Sequence, residues 1–223
     1  MPALKIDFIS DVACPWCAIG LQSLETAVER IGRSVQVEWH FQPFELNPQM
    51  GPEGADAAEY LRNKYGLTDV QLAQNQQNLR ARGVAVGFEF GPRLRVWNTF
   101  DAHRLLYWAG KEGPRGSQRA LKHALLSAYH TLGRNPGATD VLLELAATVR
   151  LDVSRARAIL ASDEFAPEVR AAELRWQQVG IRAVPAVVIN DRHLIQGGQP
   201  PEVFEQTLRQ LSGESAWATF DGA

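Results

Sequence analysis

The two cysteines of this 223-residue chain lie close together, in the stretch DVACPWCAIG of residues 11–20. Cys14 and Cys17 are separated only by Pro15 and Trp16. A strand-like segment precedes the pair and an amphipathic helical pattern follows it, so the cysteines mark a junction between strand and helix. Two thiols at this spacing are typical of a redox dithiol or of half a metal site.

The start of a helix favours a thiolate, because its free N–H groups and the helix dipole stabilise negative charge. Thiols in this setting have a pKa that falls from about 8.5 to about 3.5–7.5. We therefore expect Cys14 to be the exposed attacking thiol and Cys17, one turn further and facing inward, to be the resolving thiol. Pro15 pre-sets the helical backbone, and Trp16 adds no charge, so both are expected to tune the redox properties.

Two other interpretations of the cysteines stay open. A zinc site would need two further ligands, which would have to come from the five histidines or from carboxylates. No two histidines stand four residues apart, so we predict no metal. Two inert core cysteines are the remaining alternative, although a Pro-Trp pair at a helix start is an unusual way to build a core.

Composition narrows the classes of function. The chain is 45% hydrophobic and 22% charged, with 23 basic and 25 acidic residues and a formal net charge of −2. This balance gives no electrostatic case for nucleic acid or a membrane surface as the main partner. The N-terminal sequence MPALKIDFISDV resembles no secretory signal, so we expect a cytoplasmic protein. A reducing compartment favours a catalytic CxxC over a structural disulfide.

The hydrophobic pattern divides the chain into three parts. We predict a strand, a helix and a second strand up to residue 44. Residues from about 57 to 162 show no convincing strand and are predicted to be helical. The chain then continues with a predicted hairpin and a final helix. We predict an α/β fold with a large all-helical insertion between a βαβ half and a ββα half. Residues 1–50 and 163–212 are predicted to form one domain, 51–162 the insertion, and 213–223 a C-terminal tail.

Two motifs together resemble the DsbA-like branch of the thioredoxin superfamily, and within it the FrnE-like proteins. They are SDVACPWC after the first strand and GIRAVPAVVINDRHLIQGGQP near the end. The resemblance spans roughly residues 4–211 and implies a thioredoxin-like fold with a redox-active CxxC. It also implies that Pro185 is cis and faces the CxxC, and that the backbone of Val184 stays free to pair with an extended substrate.

A third stretch, RVWNTFDAHRLLYWAG at 95–110, is similar to sequences in the FrnE-like proteins and in two related groups. These groups are the 2-hydroxychromene-2-carboxylate isomerases and the kappa-class glutathione transferases, in which serine replaces the nucleophilic cysteine and glutathione is the cofactor. Asn98 and His103 are therefore candidate substrate contacts. Each also has a structural interpretation, Asn98 as a helix cap and His103 as a hydrogen-bonded packing residue.

These observations predict a thiol–disulfide oxidoreductase that acts on a protein or small molecule bearing a disulfide or thiol. No bound cofactor is expected; glutathione or another thiol would reset the pair from outside. The protein is expected to be a monomer or a homodimer. The alternatives are a glutathione-dependent isomerase or transferase, which would not need Cys17, and a non-catalytic peptide-binding or chaperone-like module.

Overall fold

A computed structural model describes residues 3–32 and 35–213. In chain order, the elements are β1 (Ala3–Ser10), α1 (Pro15–Ile31), β2 (Gln36–Pro43), β3 (Ala55–Asp56), α2 (Ala57–Tyr65), α3 (Asp69–Ala85), β4 (Arg95–Val96), α4 (Phe100–Lys111), α5 (Ser117–His130), α6 (Thr139–Thr148), α7 (Val153–Leu160), α8 (Ala166–Gln178), β5 (Ala186–Ile189), β6 (His193–Gln196) and α9 (Pro201–Leu211).

Four strands form one mixed sheet in the order β2-β1-β5-β6. β1 runs parallel to β2, with Phe8 opposite Phe41, and antiparallel to β5, with Phe8 opposite Val187. β5 and β6 form an antiparallel hairpin. β1 is buried along most of its length, including the polar residues Asp7 and Ser10, because it lies in the middle of the sheet and is covered on both faces.

Helices cover both faces of this sheet. Apolar side chains of β1, α1 and α9 form the core on one face, and Trp176 of α8 packs with Phe44 on the other. α1 starts at Pro15, where the missing N–H costs no hydrogen bond, and ends at Gly32, whose φ of 69° suits glycine. The CxxC therefore lies at the N-terminal end of a helix anchored along the sheet.

The block between β2 and α8 has a second hydrophobic core, built mainly from α4, α5, α6 and α7. Val12 and Ala13, directly before the first cysteine, belong to this second core and are 0% and 1% exposed. Cys14 and Cys17 belong to the core of the sheet. The two cores therefore meet at the segment that carries the dithiol.

The predicted thioredoxin-like α/β fold with its helical insertion is confirmed, but the prediction that the insertion is all-helical is wrong. Ala55–Asp56 pairs with Arg95–Val96 in a small antiparallel sheet. Strands of two residues are too short for an alternating pattern to reveal them. The boundaries at 50/51 and 162/163 stay predictions, and the predicted tail lies, from residue 214 onward, outside the described residues. Within residues 3–32 and 35–213, no helix is long and apolar enough to span a membrane.

Candidate active site

Cys14 is the N-cap of α1, with φ −89° and ψ 112°. Its side chain is only 3% exposed, so the prediction of an exposed attacking thiol is wrong. The physical reason is that the helical block and the loop before β5 close over the CxxC, which a sequence pattern does not show. The Cys14 thiol donates a hydrogen bond to the carbonyl oxygen of Val184, with Sγ and oxygen 3.5 Å apart.

Cys17 lies one turn further along α1 and is completely buried. Its backbone N–H donates to the Cys14 carbonyl oxygen at 3.1 Å. Burial is the main cause that raises the pKa of the Cys17 thiol well above its ordinary value, and hydrogen bonding to Cys14 and the charge of Cys14 raise it further. Both cysteines are free thiols in this structure. The inward thiol therefore keeps its proton at neutral pH.

The Val184–Pro185 peptide bond is cis. Pro185 packs so closely on α1 that a Cβ on Gly20 would lie 3.0 Å from its Cγ, which explains the glycine at that position. In the described part of the chain, the backbone N–H of Val184 has no hydrogen-bond acceptor. The residue whose carbonyl oxygen contacts the Cys14 thiol thus keeps a free N–H donor.

A buried carboxylate lies behind the dithiol. Asp11 is 1% exposed, and its oxygens accept hydrogen bonds from the Leu46 N–H at 2.7 Å and the Thr99 hydroxyl at 2.8 Å. The Nε2 atom of His103 lies 3.4 Å from Asp11 Oδ1. Burial acts to raise the pKa of the Asp11 carboxyl, but the contact with His103 and the backbone N–H donors outweigh it, so the net pKa is lowered. Asp11 therefore stays ionised in the interior.

The same region contains a buried lysine. Lys122 of α5 is 1% exposed, and one turn further Leu126 packs in the same core as the two cysteines. Burial lowers the pKa of the Lys122 ammonium group, while the charges of Cys17, Asp11 and Cys14 act to raise it. Among the described residues, no carboxylate lies within ion-pair distance of Lys122. A cation in this place favours the thiolate form of Cys17.

Two further side chains hold the loop that leads into Cys14. His130 of α5 lies 2.9 Å from the carbonyl oxygen of Val12. Burial and, after it, the charge of Arg93 lower the pKa of His130 to about 3, so the neutral ring donates this bond. Arg93 donates to the Ala13 carbonyl oxygen at 3.2 Å and to the Tyr129 hydroxyl at 3.1 Å. The helical block thereby fixes the backbone of the reactive segment.

A cavity of about 790 Å³ opens in front of Cys14. Pro15, Trp16 and Val184 line it beside the cysteine, and residues of α2 and α3 form much of its remaining wall. Trp16 is 41% exposed. The volume falls in the range of pockets that bind small molecules. Among the described residues, no three His, Cys, Asp or Glu side chains lie close enough together to hold a metal ion.

Asn98 and His103 do not line this cavity. The Asn98 side chain accepts a hydrogen bond from the Phe100 N–H at 2.8 Å and donates to the Met50 carbonyl oxygen at 3.1 Å. The N-cap of α4 is Thr99, so the interpretation of Asn98 as the cap is wrong by one position. His103 is 2% exposed and contacts Asp11. Neither side chain lies where it would touch a substrate in the cavity, because both point into the protein.

The sequence analysis did not predict that Asp11, Lys122, Arg93 and His130 lie around the CxxC. Asp11 stands in the same short stretch as the cysteines, so its proximity along the chain was an available signal. Lys122 lies in the apolar helix ALKHALLSAYH, where a lysine flanked by Leu121 is easily assigned to the solvent side. No sequence signal connects Arg93 and His130 to the CxxC, because their contacts join distant segments.

Residues 5–209 match the model of the DSBA-like thioredoxin domain. The chain belongs to this family. A crystal structure of a probable DsbA oxidoreductase from Streptomyces coelicolor is 33% identical, covers 99% of this chain and 94% of its own, and superposes with a TM-score of 0.83.

Two more distant structures share the DsbA-like fold. The cytosolic disulfide reductase DsbM from Pseudomonas aeruginosa, solved with GSH, is 18% identical, with a TM-score of 0.62 over 93% of this chain and 98% of its own. A 2-hydroxychromene-2-carboxylate isomerase is 14% identical, with a TM-score of 0.71 over 95% of this chain and 100% of its own. At these identities the likeness shows the fold alone.

Proposed function

We propose that the protein is a thiol–disulfide oxidoreductase in which Cys14 attacks and Cys17 resolves. One observation carries the proposal: Cys14 lines the cavity, whereas Cys17 lies one helical turn behind it and is completely buried. A substrate in the cavity reaches the first thiol and not the second. This arrangement suits a nucleophile that forms a mixed disulfide with the substrate and a second thiol that breaks this mixed disulfide from inside the protein.

The cycle balances as two displacements. The Cys14 thiolate attacks one sulfur of the substrate disulfide, the bond between Cys14 and that sulfur forms, and the other sulfur leaves with the electron pair as a thiolate. The Cys17 thiolate then attacks Cys14, the Cys14–Cys17 disulfide forms, and the second substrate thiolate leaves. The substrate is reduced by two electrons. Two molecules of an external thiol, such as glutathione, return the pair to the dithiol.

Val184 and Pro185 are proposed to hold the substrate. Val184 contacts the reacting sulfur through its carbonyl oxygen, and its unpaired N–H is able to donate to the backbone of an extended, peptide-like substrate. Pro15 and Trp16 line the cavity next to Cys14 and are proposed to tune its reactivity. Asn98 and His103 are proposed to act indirectly, by fixing the start of α4 and the position of Asp11.

A redox titration of the pair against glutathione buffers tests the function. The fraction of free thiols is measured by acid quenching and alkylation, with Trp16 fluorescence as a second readout. We expect one two-electron transition in which both thiols disappear together, with a tenfold change in equilibrium for about 30 mV. A pair that stays reduced in every buffer, or a stable glutathione adduct on Cys14 alone, contradicts the proposal.

The rival function is a glutathione-dependent isomerase or transferase, because a 2-hydroxychromene-2-carboxylate isomerase has the same fold. That chemistry needs one group at position 14 and makes no use of Cys17. The variant Cys17→Ser distinguishes the two, because it should stop multiple turnover of an oxidoreductase and leave an isomerase unaffected. Full isomerase activity in this variant would replace the proposal.

A further inference from the structure

The lining of the cavity in front of Cys14 carries charge of one sign. Four of its described residues are basic, namely Lys64, Arg80, Arg93 and Arg182, and none is an aspartate or a glutamate. The chain as a whole has slightly more acidic than basic residues. The positive lining is therefore a local property of the cavity and does not follow from composition.

Two of these four cations already have partners. Lys64 donates to the Leu46 carbonyl oxygen at 2.9 Å and to Asn47 Oδ1 at 2.7 Å. Arg93 is engaged with Ala13 and Tyr129, as described above. Both are therefore occupied in holding the walls of the cavity.

Arg80 and Arg182 are different. Both side chains are exposed, and within residues 3–32 and 35–213 neither has a carboxylate within ion-pair distance or a hydrogen-bond acceptor. Arg182 stands two residues before Val184, whose carbonyl oxygen accepts the hydrogen bond from the Cys14 thiol. Arg80 comes from α3, on a separate wall. Two unpaired guanidinium groups thus flank the space in front of the reactive sulfur.

Apart from Arg80, α3 contributes three amide side chains and two leucines, Leu72 and Leu79, to the wall of the cavity. Asn75, Gln76 and Asn78 line the cavity together with Asn47. Amide side chains both donate and accept hydrogen bonds, so they suit a ligand that contains peptide groups. Guanidinium groups suit carboxylates, which they bind through two parallel hydrogen bonds. The volume of about 790 Å³ suits a ligand of small-molecule size.

We infer that the cavity selects small peptide-like disulfides that carry carboxylates, and that Arg182 and Arg80 bind those carboxylates. This inference rests on the proposed function and names its substrate class. The carboxylates position the disulfide, and the electron transfer follows the two displacements given above. Arg182 and Arg80 are specificity residues, since neither exchanges a proton or an electron with the reacting sulfurs.

The test compares glutathione disulfide with its tetraethyl ester, in which each of the four carboxylates is replaced by a neutral ester. Initial rates are measured with an external thiol that resets the dithiol, for the wild type, Arg182→Gln and Arg80→Gln. Arg192→Gln is the matched control, because Arg192 is exposed, lies in the turn before β6 and does not line the cavity. We expect the wild type to prefer glutathione disulfide about tenfold or more in kcat/KM.

Each cavity substitution should lower kcat/KM for glutathione disulfide about tenfold, mainly through KM, and change the value for the ester less than twofold. The control should change neither. Added salt should reduce the preference of the wild type. Equal turnover of the two disulfides by the wild type, or an equal loss for both in Arg182→Gln, overturns the inference.

A binding measurement separates this inference from the proposed function. Calorimetry on Cys14→Ser compares reduced glutathione with its diethyl ester, with and without Arg182→Gln in the same chain. If no disulfide is turned over but glutathione binds better than its ester in an Arg182-dependent way, the proposed function fails and the carboxylate selectivity stands. If disulfides are turned over and neither turnover nor binding responds to charge, the selectivity fails and the function stands.

Discussion

The two sides of the dithiol differ in their surroundings. In front of Cys14 lies a cavity whose lining includes two exposed arginines without an ion-pair partner, Arg80 and Arg182. Behind Cys17 lie the charged groups Asp11 and Lys122, both at 1% exposure. Charge in front of the sulfurs is screened and acts on substrate recognition. Charge behind them is poorly screened and acts on the protons of the thiols.

Exchanging the two thiols for serine gives the largest expected effect. Cys14→Ser should lower disulfide turnover about a thousandfold or more, because the nucleophile is gone. Cys17→Ser should stop multiple turnover as well, yet accumulate a covalent adduct on Cys14, since the internal partner that releases it is missing. Intact-mass spectrometry after incubation with glutathione disulfide checks both. An adduct on Cys17 in Cys14→Ser would reverse the proposed roles.

The second effect is a pH dependence of resolution. The pKa of Cys17 is raised well above its ordinary value, so its thiolate is a minor species at neutral pH. The fraction of thiolate, and the rate of the second displacement, should rise about tenfold per pH unit from pH 6 to pH 8. Burial persists when Cys14 is bonded to substrate, so the slope applies to the mixed disulfide.

Stopped-flow mixing with a chromogenic aromatic disulfide measures this slope, since two phases release two equivalents of coloured thiolate. The second phase reports resolution by Cys17 and must be absent in Cys17→Ser. A second phase that is constant from pH 6 to pH 8 would mean that Cys17 is already ionised.

Lys122→Met removes the buried cation and keeps an unbranched side chain that is one atom shorter. The Cys17 thiolate loses a favourable charge, so the second phase should slow about tenfold. The same change should raise the free energy of unfolding by about 1–2 kcal/mol, because an ammonium group without an ion-pair partner is costly to bury. The pKa of Lys122 is lower in the folded protein than its ordinary value of 10.5 in the unfolded chain. The gain in the free energy of unfolding is therefore fully present below the pKa of the folded state and fades as the pH rises towards 10.5.

Urea denaturation at neutral pH and the stopped-flow experiment check the two effects of Lys122→Met together. Lys111→Met is the matched control, because Lys111 is exposed at the end of α4 and should change neither quantity. A faster second phase in Lys122→Met would contradict the assigned effect of the charge behind Cys17.

The smallest effect concerns the histidine that holds the loop. The folded pKa of His130 is about 3 and the unfolded value about 6.5, so the unfolded chain binds more protons between these values and stability falls as pH falls. His130 alone should remove about 0.7 kcal/mol between pH 7 and pH 6. His130→Phe should abolish this part of the slope, whereas the exposed control His193→Gln should keep it. Urea denaturation at both pH values checks the difference.

The sequence predicted those features that depend on local pattern. The alternation around Phe8, the CPWC at a helix start and the two motifs of the resemblance were sufficient to predict the fold and the position of Cys14 and Cys17 at the start of a helix. It did not predict features that depend on which segments meet. The burial of Cys14 comes from the covering helical block, and Lys122 acts on the dithiol only because α5 lies behind it. Asn98 and His103 stood in a suggestive stretch, but the direction of their side chains is a tertiary property.

The meeting of two cores at Val12 and Ala13 bears on how this protein tolerates change. Segments inserted into a fold are often treated as removable modules. Here the inserted helices supply part of the packing around the peptide units directly before Cys14. A substitution deep among α4–α7 that alters their packing therefore shifts the backbone that carries Cys14. Residues of the insertion that lie far from the Cys14 sulfur must for this reason preserve the packing that positions it.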